Sequence, residues 1–472
     1  MAKKTDLIVV GAGPGGYTAA FLAADLGIKV MLIDESPRPG GVCLYRGCMP
    51  SKALLHVANV LTEARHANAW GVEFGEPKID LERLRKWKDN VVTKLTGGLA
   101  QLAEQRSVDY LQGVATLVDA HTVSVAKSGS AVETVRFDHA ILATGSRPVL
   151  PEALATKSDR VLDSTSALDL SRIPENLLVI GGGYIGLELG SVYAALGSEI
   201  TVVEMTSGLL PGVDRDLVNV LSRRFGKIAK AVYMDTQVIN LKPGKTGVEV
   251  VLDGPSIENR QHNFDMALVA VGRIPNSDTL GLDRTVVELD ERGFVKVDSQ
   301  RRTAEPSLFA IGDLVGEPML AHKAFHEGRV AVEAITGLQT VFEPKAIPAV
   351  VFTDPEIAWC GLTETQAAKD QQLVSVARFP WAASGRALTL DRPDGLTKFI
   401  VDPNTEQVLG VGMVGSGAGE LIAEGVVAIE MGATVSDLPL CIHPHPTLSE
   451  TIFESAEVFL GRSTHVYRPK RK

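Results

Sequence analysis

Two cysteines stand five positions apart in "GVCLYRGCMPSKALL" (residues 41–55), in a 472-residue chain that holds only four. Cys43 and Cys48 are either unrelated buried thiols or a dithiol–disulfide pair that relays electrons. On a regular helix, five residues turn through about 140°, which points two thiols apart and prevents a bridge. Gly47 and Pro50 both disfavour a helix interior. A bent segment, with the regular helix beginning near Pro50, brings the thiols within reach. Cys48 then sits by a helix N-terminus, where reactive thiols titrate at about 3.5–7.5. Lys52, one turn further on, adds positive charge. Cys360 and Cys441 have no such context and read as core residues. A thiol relay also needs a base active near neutrality, which histidine supplies. "HPHPTLSE" (443–450) offers His445 with Glu450 five residues later, although two His-Pro pairs serve equally well as rigid turns. His443 reads as structural.

The elements that position these groups form a duplicated device. "DLIVVGAGPGG" (6–16) is a buried strand running into Gly11, Gly13 and Gly16, followed by a helix pattern and a strand ending at Asp34. "LLVIGGGYIGL" (177–187) repeats it with Gly181, Gly183 and Gly186, ending at Glu204. In both copies the carboxylate lies 23 positions after the first glycine. The glycines let backbone approach a pyrophosphate at a helix N-terminus, and the carboxylate accepts from ribose hydroxyls. Two copies imply two dinucleotides. No arginine follows Glu204 in "MTSGLLPG", which favours NAD over NADP in the second site. "HAILATGSRPVLP" (139–151) and "MALVAVGRIPN" (266–276) are alike too. Each runs an apolar strand into a glycine and then Arg and Pro, as if closing its own nucleotide domain. Asp313 ends another buried strand, "SLFAIGDL" (307–314). It reads equally as a surface turn or as an acceptor for a flavin ribityl hydroxyl.

The length suggests about three domains. A hydrophobic content of 45% and a charged content of 22% suit a globular protein, and a net charge of −10 argues against a nucleic-acid surface. The basic end "YRPKRK" reads as a solvated tail. No apolar run reaches the roughly 18 residues that cross a bilayer, and the first strand begins too early to leave room for a signal peptide. Four cysteines make no disulfide framework, so the expected setting is cytoplasmic. No metal site is expected.

The cysteine motif, "ATGSRP", "GGGYIGLELG", "VGRIPN", "AIGDLVGEPMLAHKAFHEG", "FTDPEIAWCGLTE" and "HPHPTLSE" occur in order along the chain. With them the sequence resembles the FAD-dependent pyridine nucleotide-disulfide oxidoreductases and, through "GDLVGEPMLAHKAFHEG", their lipoamide branch, the dihydrolipoamide dehydrogenases. The resemblance implies an α/β fold: two Rossmann-like dinucleotide-binding domains plus a C-terminal α+β dimerisation domain. The expected segments are an FAD-binding domain (1–148), an NAD-binding domain (149–273), a central part completing the FAD domain (274–346) and an interface domain (347–472). It implies oxidation of protein-bound dihydrolipoyl groups, with electrons passing through Cys43–Cys48 and FAD to NAD⁺. The partners would be a second copy of the chain and a lipoyl-bearing carrier.

Residue by residue, the resemblance makes Cys43 the thiol that meets substrate and Cys48 the thiolate that faces the flavin. Lys52 lies by the flavin and pairs with Glu188. His445, oriented by Glu450, is the acid/base and acts on the cysteines of the other subunit. Gly11, Gly13, Gly16, Asp34, Lys52, Gly113, Thr144, Gly145, Asp313 and Ala321 would hold FAD. Gly181, Gly183, Tyr184, Gly186, Glu204, Val238 and Gly272 would hold NAD. Three departures stand out. Tyr45-Arg46 replace the family's Asn-x, Tyr184 replaces an Ile found in many lipoamide enzymes, and Asp34 replaces Glu. Arg46 reads as a member of a surface ion pair. Two other functions stay open on sequence alone: an NAD(P)H-dependent reductase of another disulfide, and a flavoprotein with mainly an assembly or redox-sensing role.

Overall fold

A computed structural model describes residues 3–127, 129 and 131–467. Residues 468–472, most of the basic tail, lie outside the described residues.

The apolar run of Lys3–Val10 forms the central strand of the first sheet, with Leu7, Ile8 and Val9 fully buried. Burial on both faces is what a parallel strand between helices requires. It pairs in parallel with Val30–Asp34 on one side and Glu133–Leu142 on the other, and Asp109–Gln112 extends the sheet beyond Val30–Asp34. Glu133–Leu142 is long enough to divide its partners. Its first half pairs antiparallel with Thr122–Ala126, and its second half pairs in parallel with Leu308–Ala310. Residues far along the chain therefore return to the first sheet. Helix Ala321–Ile335 follows and packs on helix Pro14–Asp25 so closely that a Cβ on Gly328 would lie 2.7 Å from the Gly15 carbonyl oxygen.

A second sheet, all parallel, has the order Ala231–Tyr233, Glu199–Val203, Asn176–Ile180, Met266–Val269, Val161–Leu162. The two closing segments resemble one another in sequence, and they pair directly. Ser146–Pro148 and Arg273–Pro275 form a two-stranded antiparallel ribbon, flanked by Val149 N–H to Gly272 O and Asn276 N–H to Gly145 O, each 2.9 Å.

The C-terminal region is a five-stranded antiparallel sheet covered by helices Ala418–Glu430 and Glu450–Phe459. Buried ion pairs join it to the rest. Lys398 of strand Leu396–Val401 is almost wholly buried, and its Nζ lies 2.7 Å from each of Asp214, Asp216 and Glu364. The three carboxylates are close enough together to suit a cation, and the Lys398 ammonium is that cation. Asp354 accepts from Arg224 at 2.9 Å and from Arg392 at 3.0 Å, and Arg392 also reaches Glu63 at 2.5 Å. Glu63 lies near the end of the helix that begins at Cys48, so that helix is anchored at its far end to both other domains.

Two expectations need correction. The cysteine helix runs Cys48–His66 and begins two residues before Pro50. Proline is tolerated in a first turn, where its missing N–H would have no partner anyway. Cys360 is buried, but Cys441 is exposed. It follows a single 3-10 turn, Leu438–Leu440, in an irregular surface stretch where Leu440 and Ile442 are exposed too. The core reading rested on residue type alone, free cysteines being buried more often than not.

Candidate active site

The two glycine motifs fold as near copies, atom by atom. A Cβ on Gly16 would lie 1.8 Å from Gly11 O, and one on Gly186 would lie 2.2 Å from Gly181 O. Gly11 (φ +101°) and Gly181 (φ +108°) are left-handed and abut the Ala143 and Ala270 carbonyls. Both turns therefore need glycine for close backbone packing as well as for conformation. Around Gly183 there is open space, and a Cβ on Gly13 would lie 3.9 Å from its nearest neighbour. That leaves both helix N-termini approachable by a pyrophosphate. The carboxylates are held alike. Asp34 accepts from Ala12 N–H at 2.7 Å and Ser36 N–H at 2.8 Å. Glu204 accepts from Gly182 N–H at 2.7 Å and Thr206 N–H at 2.8 Å. The shorter aspartate thus makes the same pair of backbone contacts as the glutamate. Past Glu204, the nearby Arg215 gives its guanidinium to the carbonyls of Leu209, Leu210 and Val213. It is committed to the fold rather than presented to a 2′-phosphate.

One cleft of about 720 Å³ runs from the first glycine turn to the cysteines. Gly11, Gly13, Asp34, Gly113, Thr144, Gly145, Asp313 and Ala321 line it, together with Cys43, Cys48, Lys52, Tyr184 and Glu188. These residues come from both nucleotide-binding segments. An elongated dinucleotide with a redox ring suits this lining. The glycine turn and carboxylate are at one end, and thiols beside a lysine are at the other. Gly16 is absent from the lining because its role is packing against Gly11. Gly181, Gly183, Gly186, Glu204, Val238 and Gly272 lie outside this cleft, around the second turn and its domain. Val238 packs against that domain's core. Gly272 (φ +132°) joins the second sheet to the ribbon. Tyr184 and Ile185 of the second motif reach the cleft.

The cysteine segment bends at Gly47, between the short helix Gly41–Arg46 and helix Cys48–His66. Both thiols are free, and they hydrogen-bond to one another. The bond from Cys43 lowers Cys48 to about 7. Lys52 also lowers it, while burial and Glu188 oppose. Cys43 is pushed up by the same bond and by burial. The pair is therefore split in acidity, with Cys48 the more acidic thiol. Lys52 Nζ lies 2.7 Å from Glu188 Oε2 and 4.5 Å from the centre of the Phe352 ring. Glu188 Oε1 accepts the Phe352 N–H at 3.0 Å. Three domains thus meet at this lysine. Asp313 Oδ2 accepts from Ser146 Oγ at 2.5 Å, and Arg273 donates to the same hydroxyl at 2.8 Å. Arg46 pairs with Glu35 at 2.9 Å on the surface.

His445 Nδ1 lies 2.8 Å from Glu450 Oε1, and Thr447 N–H donates to the other oxygen at 2.8 Å. The imidazole is 79% exposed and is not in the cleft, so one chain alone does not bring it to Cys43. His443 is held between Glu424 and the Cys441 carbonyl.

Residues 5–328 match the family model described as pyridine nucleotide-disulphide oxidoreductase, and residues 347–456 match that family's dimerisation domain. The chain belongs to the pyridine nucleotide-disulphide oxidoreductase family. It is 47% identical over 469 residues to a dihydrolipoyl dehydrogenase of Haemophilus influenzae, covering 99% of this chain and 98% of that one. The corresponding figures for a dihydrolipoyl dehydrogenase of Vibrio cholerae are 46% identity with 99% and 98% coverage. Among solved structures, LpdA of Mycobacterium tuberculosis superposes with a TM-score of 0.88 at 26% identity, covering 96% of this chain and 99% of that one. The flavoprotein disulfide reductase RclA of Escherichia coli gives 0.84 at 26%, covering 96% and 99%. FAD and NAD(H) are the cofactors of this oxidoreductase. Sequence reading missed Ser146, Arg273 and Phe352, which touch the site's charged groups. The likeness of the two closing segments, each a glycine followed by Arg and Pro, was the one signal for the first two.

Proposed function

We propose that the protein oxidises protein-bound dihydrolipoyl groups and delivers the electron pair to NAD⁺. The single observation that carries this is a thiol pair lying in one cleft with residues of both dinucleotide motifs. Support comes from relatives named dihydrolipoyl dehydrogenase that match nearly the whole chain at 42–47% identity.

In the oxidised enzyme Cys43 and Cys48 form a disulfide. His445, from the second subunit of a homodimer, accepts a proton from one dihydrolipoyl thiol, while Glu450 fixes its tautomer through Nδ1. The resulting thiolate attacks Cys43 Sγ, and Cys48 departs with the electron pair because it is the more acidic thiol. The second lipoyl sulfur, deprotonated in turn, displaces Cys43 and closes the cyclic lipoyl disulfide. The protein dithiol now holds two electrons. Bound FAD supplies the chemistry that hands them to NAD⁺. Lys52, held by Glu188 and Phe352, keeps positive charge beside the Cys48 thiolate. Asp34 and Asp313 would hold FAD, and Glu204 the NAD ribose. The two glycine turns would take the pyrophosphates, and Tyr184 would lie between the two sites.

The remaining roles read from the sequence belong to the same proposal. So do the domain limits 1–148, 149–273, 274–346 and 347–472, supported by the return of Leu308–Ala310 to the first sheet. A lipoyl-bearing carrier is the partner. The setting is a reducing cytoplasm, which suits a cycling dithiol; no described helix is long and apolar enough to cross a membrane. The test is anaerobic turnover with dihydrolipoamide, offering NAD⁺ and NADP⁺ separately. Reduction of NAD⁺ with little of NADP⁺ is expected. Flavin that is reduced by NADH but shows no turnover with dihydrolipoamide would assign the thiols to a different disulfide.

A further inference from the structure

We propose that Glu327 and Lys323 are positioning residues for FAD: one helix face that clamps both ends of the turn carrying Asp313 and so fixes where that carboxylate points. This rests on the flavin-site reading above. Asp313 sits in Gly312–Val315, a single 3-10 turn of four residues. So short a turn does not hold its own shape. Its first residue, Gly312, is left-handed (φ +74°).

Glu327, fully buried, accepts the Gly312 N–H on Oε2 at 2.6 Å. Lys323, buried one turn earlier on the same helix, donates from Nζ to Gly312 O at 3.3 Å and Gly316 O at 3.2 Å. The two side chains meet at 3.1 Å, and Arg301 Nη1 lies 3.1 Å from the same Glu327 oxygen. Residues 312 and 316 are therefore tied to one rigid helix, with Asp313 between them. Neither Glu327 nor Lys323 lines the cleft, so both act through the turn.

Magnitudes favour positioning over bulk stability. A buried ion pair is often matched or bettered by apolar side chains of similar volume. Here the buried Glu327 and Lys323 are kept, and their remaining hydrogen bonds go to the backbone around Asp313. The same helix begins at Ala321 in the cleft and packs on the helix of the first glycine motif. The clamp thus sets Asp313 relative to the pyrophosphate turn, and the two must hold opposite parts of one ligand.

The test is FAD affinity of the deflavinated full-length protein, with visible circular dichroism of the bound flavin as a second readout. Glu327→Ala should weaken FAD binding about tenfold to a hundredfold, the range for leaving a buried polar group unpaired. It should also change the flavin spectrum. Glu327→Gln, which still offers an oxygen to Gly312 N–H, should stay within about threefold of wild type. In an Asp313→Ala background the Glu327→Ala loss should shrink to below about threefold, since contacts that act through one another do not add. Should Glu327→Ala fail to fold, Lys323→Met releases the two carbonyls and carries the same expectation. An equal loss with and without Asp313, or unchanged affinity in the Lys323→Met protein, would overturn the clamp alone. Asp313→Ala that binds FAD as tightly as wild type would overturn the ribityl role of Asp313 and the clamp with it.

Discussion

Replacing Lys52 with methionine removes one positive charge and little volume. Lys52 is one helical turn from Cys48, so the two side chains are about 6 Å apart at their bases. At an effective dielectric constant of about 20, a unit charge at that distance is worth about 2.8 kcal/mol, or about two pH units. Solvent at the partly exposed Lys52 side chain would screen part of this. Cys48 should therefore move from about 7 to between about 8 and 9 in the reduced Lys52→Met protein. At pH 7 that lowers the thiolate population about five- to fiftyfold. The assay is the rate of alkylation by iodoacetamide against pH, anaerobically, in a Cys441→Ser background because Cys441 is exposed. A midpoint that stays near 7 would refute the electrostatic role of Lys52 and leave the Cys43 hydrogen bond as the whole cause. The same depressed thiol links pH to stability in the wild type. Its contribution is full above the unfolded value of 9 and lost as pH falls through about 7. Reduced protein should therefore resist urea better at about pH 8.5 than at about pH 6.

Gly186→Ala places a Cβ about 2.2 Å from Gly181 O. It should abolish NAD⁺ binding by calorimetry while FAD stays bound and reducible by dithiol. Cys48→Ser and His445→Ala should each be inactive as pure dimers. Refolding the two together should restore activity, because one site of each mixed dimer is then intact; no recovery would place the acid/base elsewhere. Lys398→Met removes the buried cation that Asp214, Asp216 and Glu364 share, leaving Arg378 to the last two, and should cost about 3–5 kcal/mol in chemical denaturation. Burial pushes Asp214 and Asp216 up, but their bonds to Lys398 prevail and hold both below the usual carboxylate range. Their stabilisation is present at neutral pH and lost as pH falls through those lowered values. The wild type should therefore lose more stability on acidification than Lys398→Met does.

What the sequence made legible was local. Glycine spacing, strand burial and the terminal carboxylates are short-range patterns, and the matching bonds of Asp34 and Glu204 follow from them. The Lys52–Glu188 contact joins residues 136 apart and came from family resemblance, as no local pattern links them. Lys398, Asp354 and Glu327 were invisible for the same reason. Each is an ordinary charged residue in sequence, and its burial depends on elements that fold together from separate segments. Cys441 was misread because the lack of a reactive motif says nothing about burial, and residue type alone was left to decide it.

The ribbon between the nucleotide domains has a symmetry of its own. Aligning the two closing segments on Gly145 and Gly272 makes Ser146 equivalent to Arg273, Arg147 to Ile274 and Pro148 to Pro275. In the ribbon Arg273 faces Pro148, Pro275 faces Ser146, and Ile274 faces Arg147. Exchanging every residue for its equivalent returns the same set of pairs, and the flanking bonds of Val149 and Asn276 exchange in the same way. A local twofold axis therefore passes between Arg147 and Ile274. This is the signature of an isologous contact, the kind two identical molecules make. The join inside this chain thus has the form of a small isologous contact between its two nucleotide-binding modules.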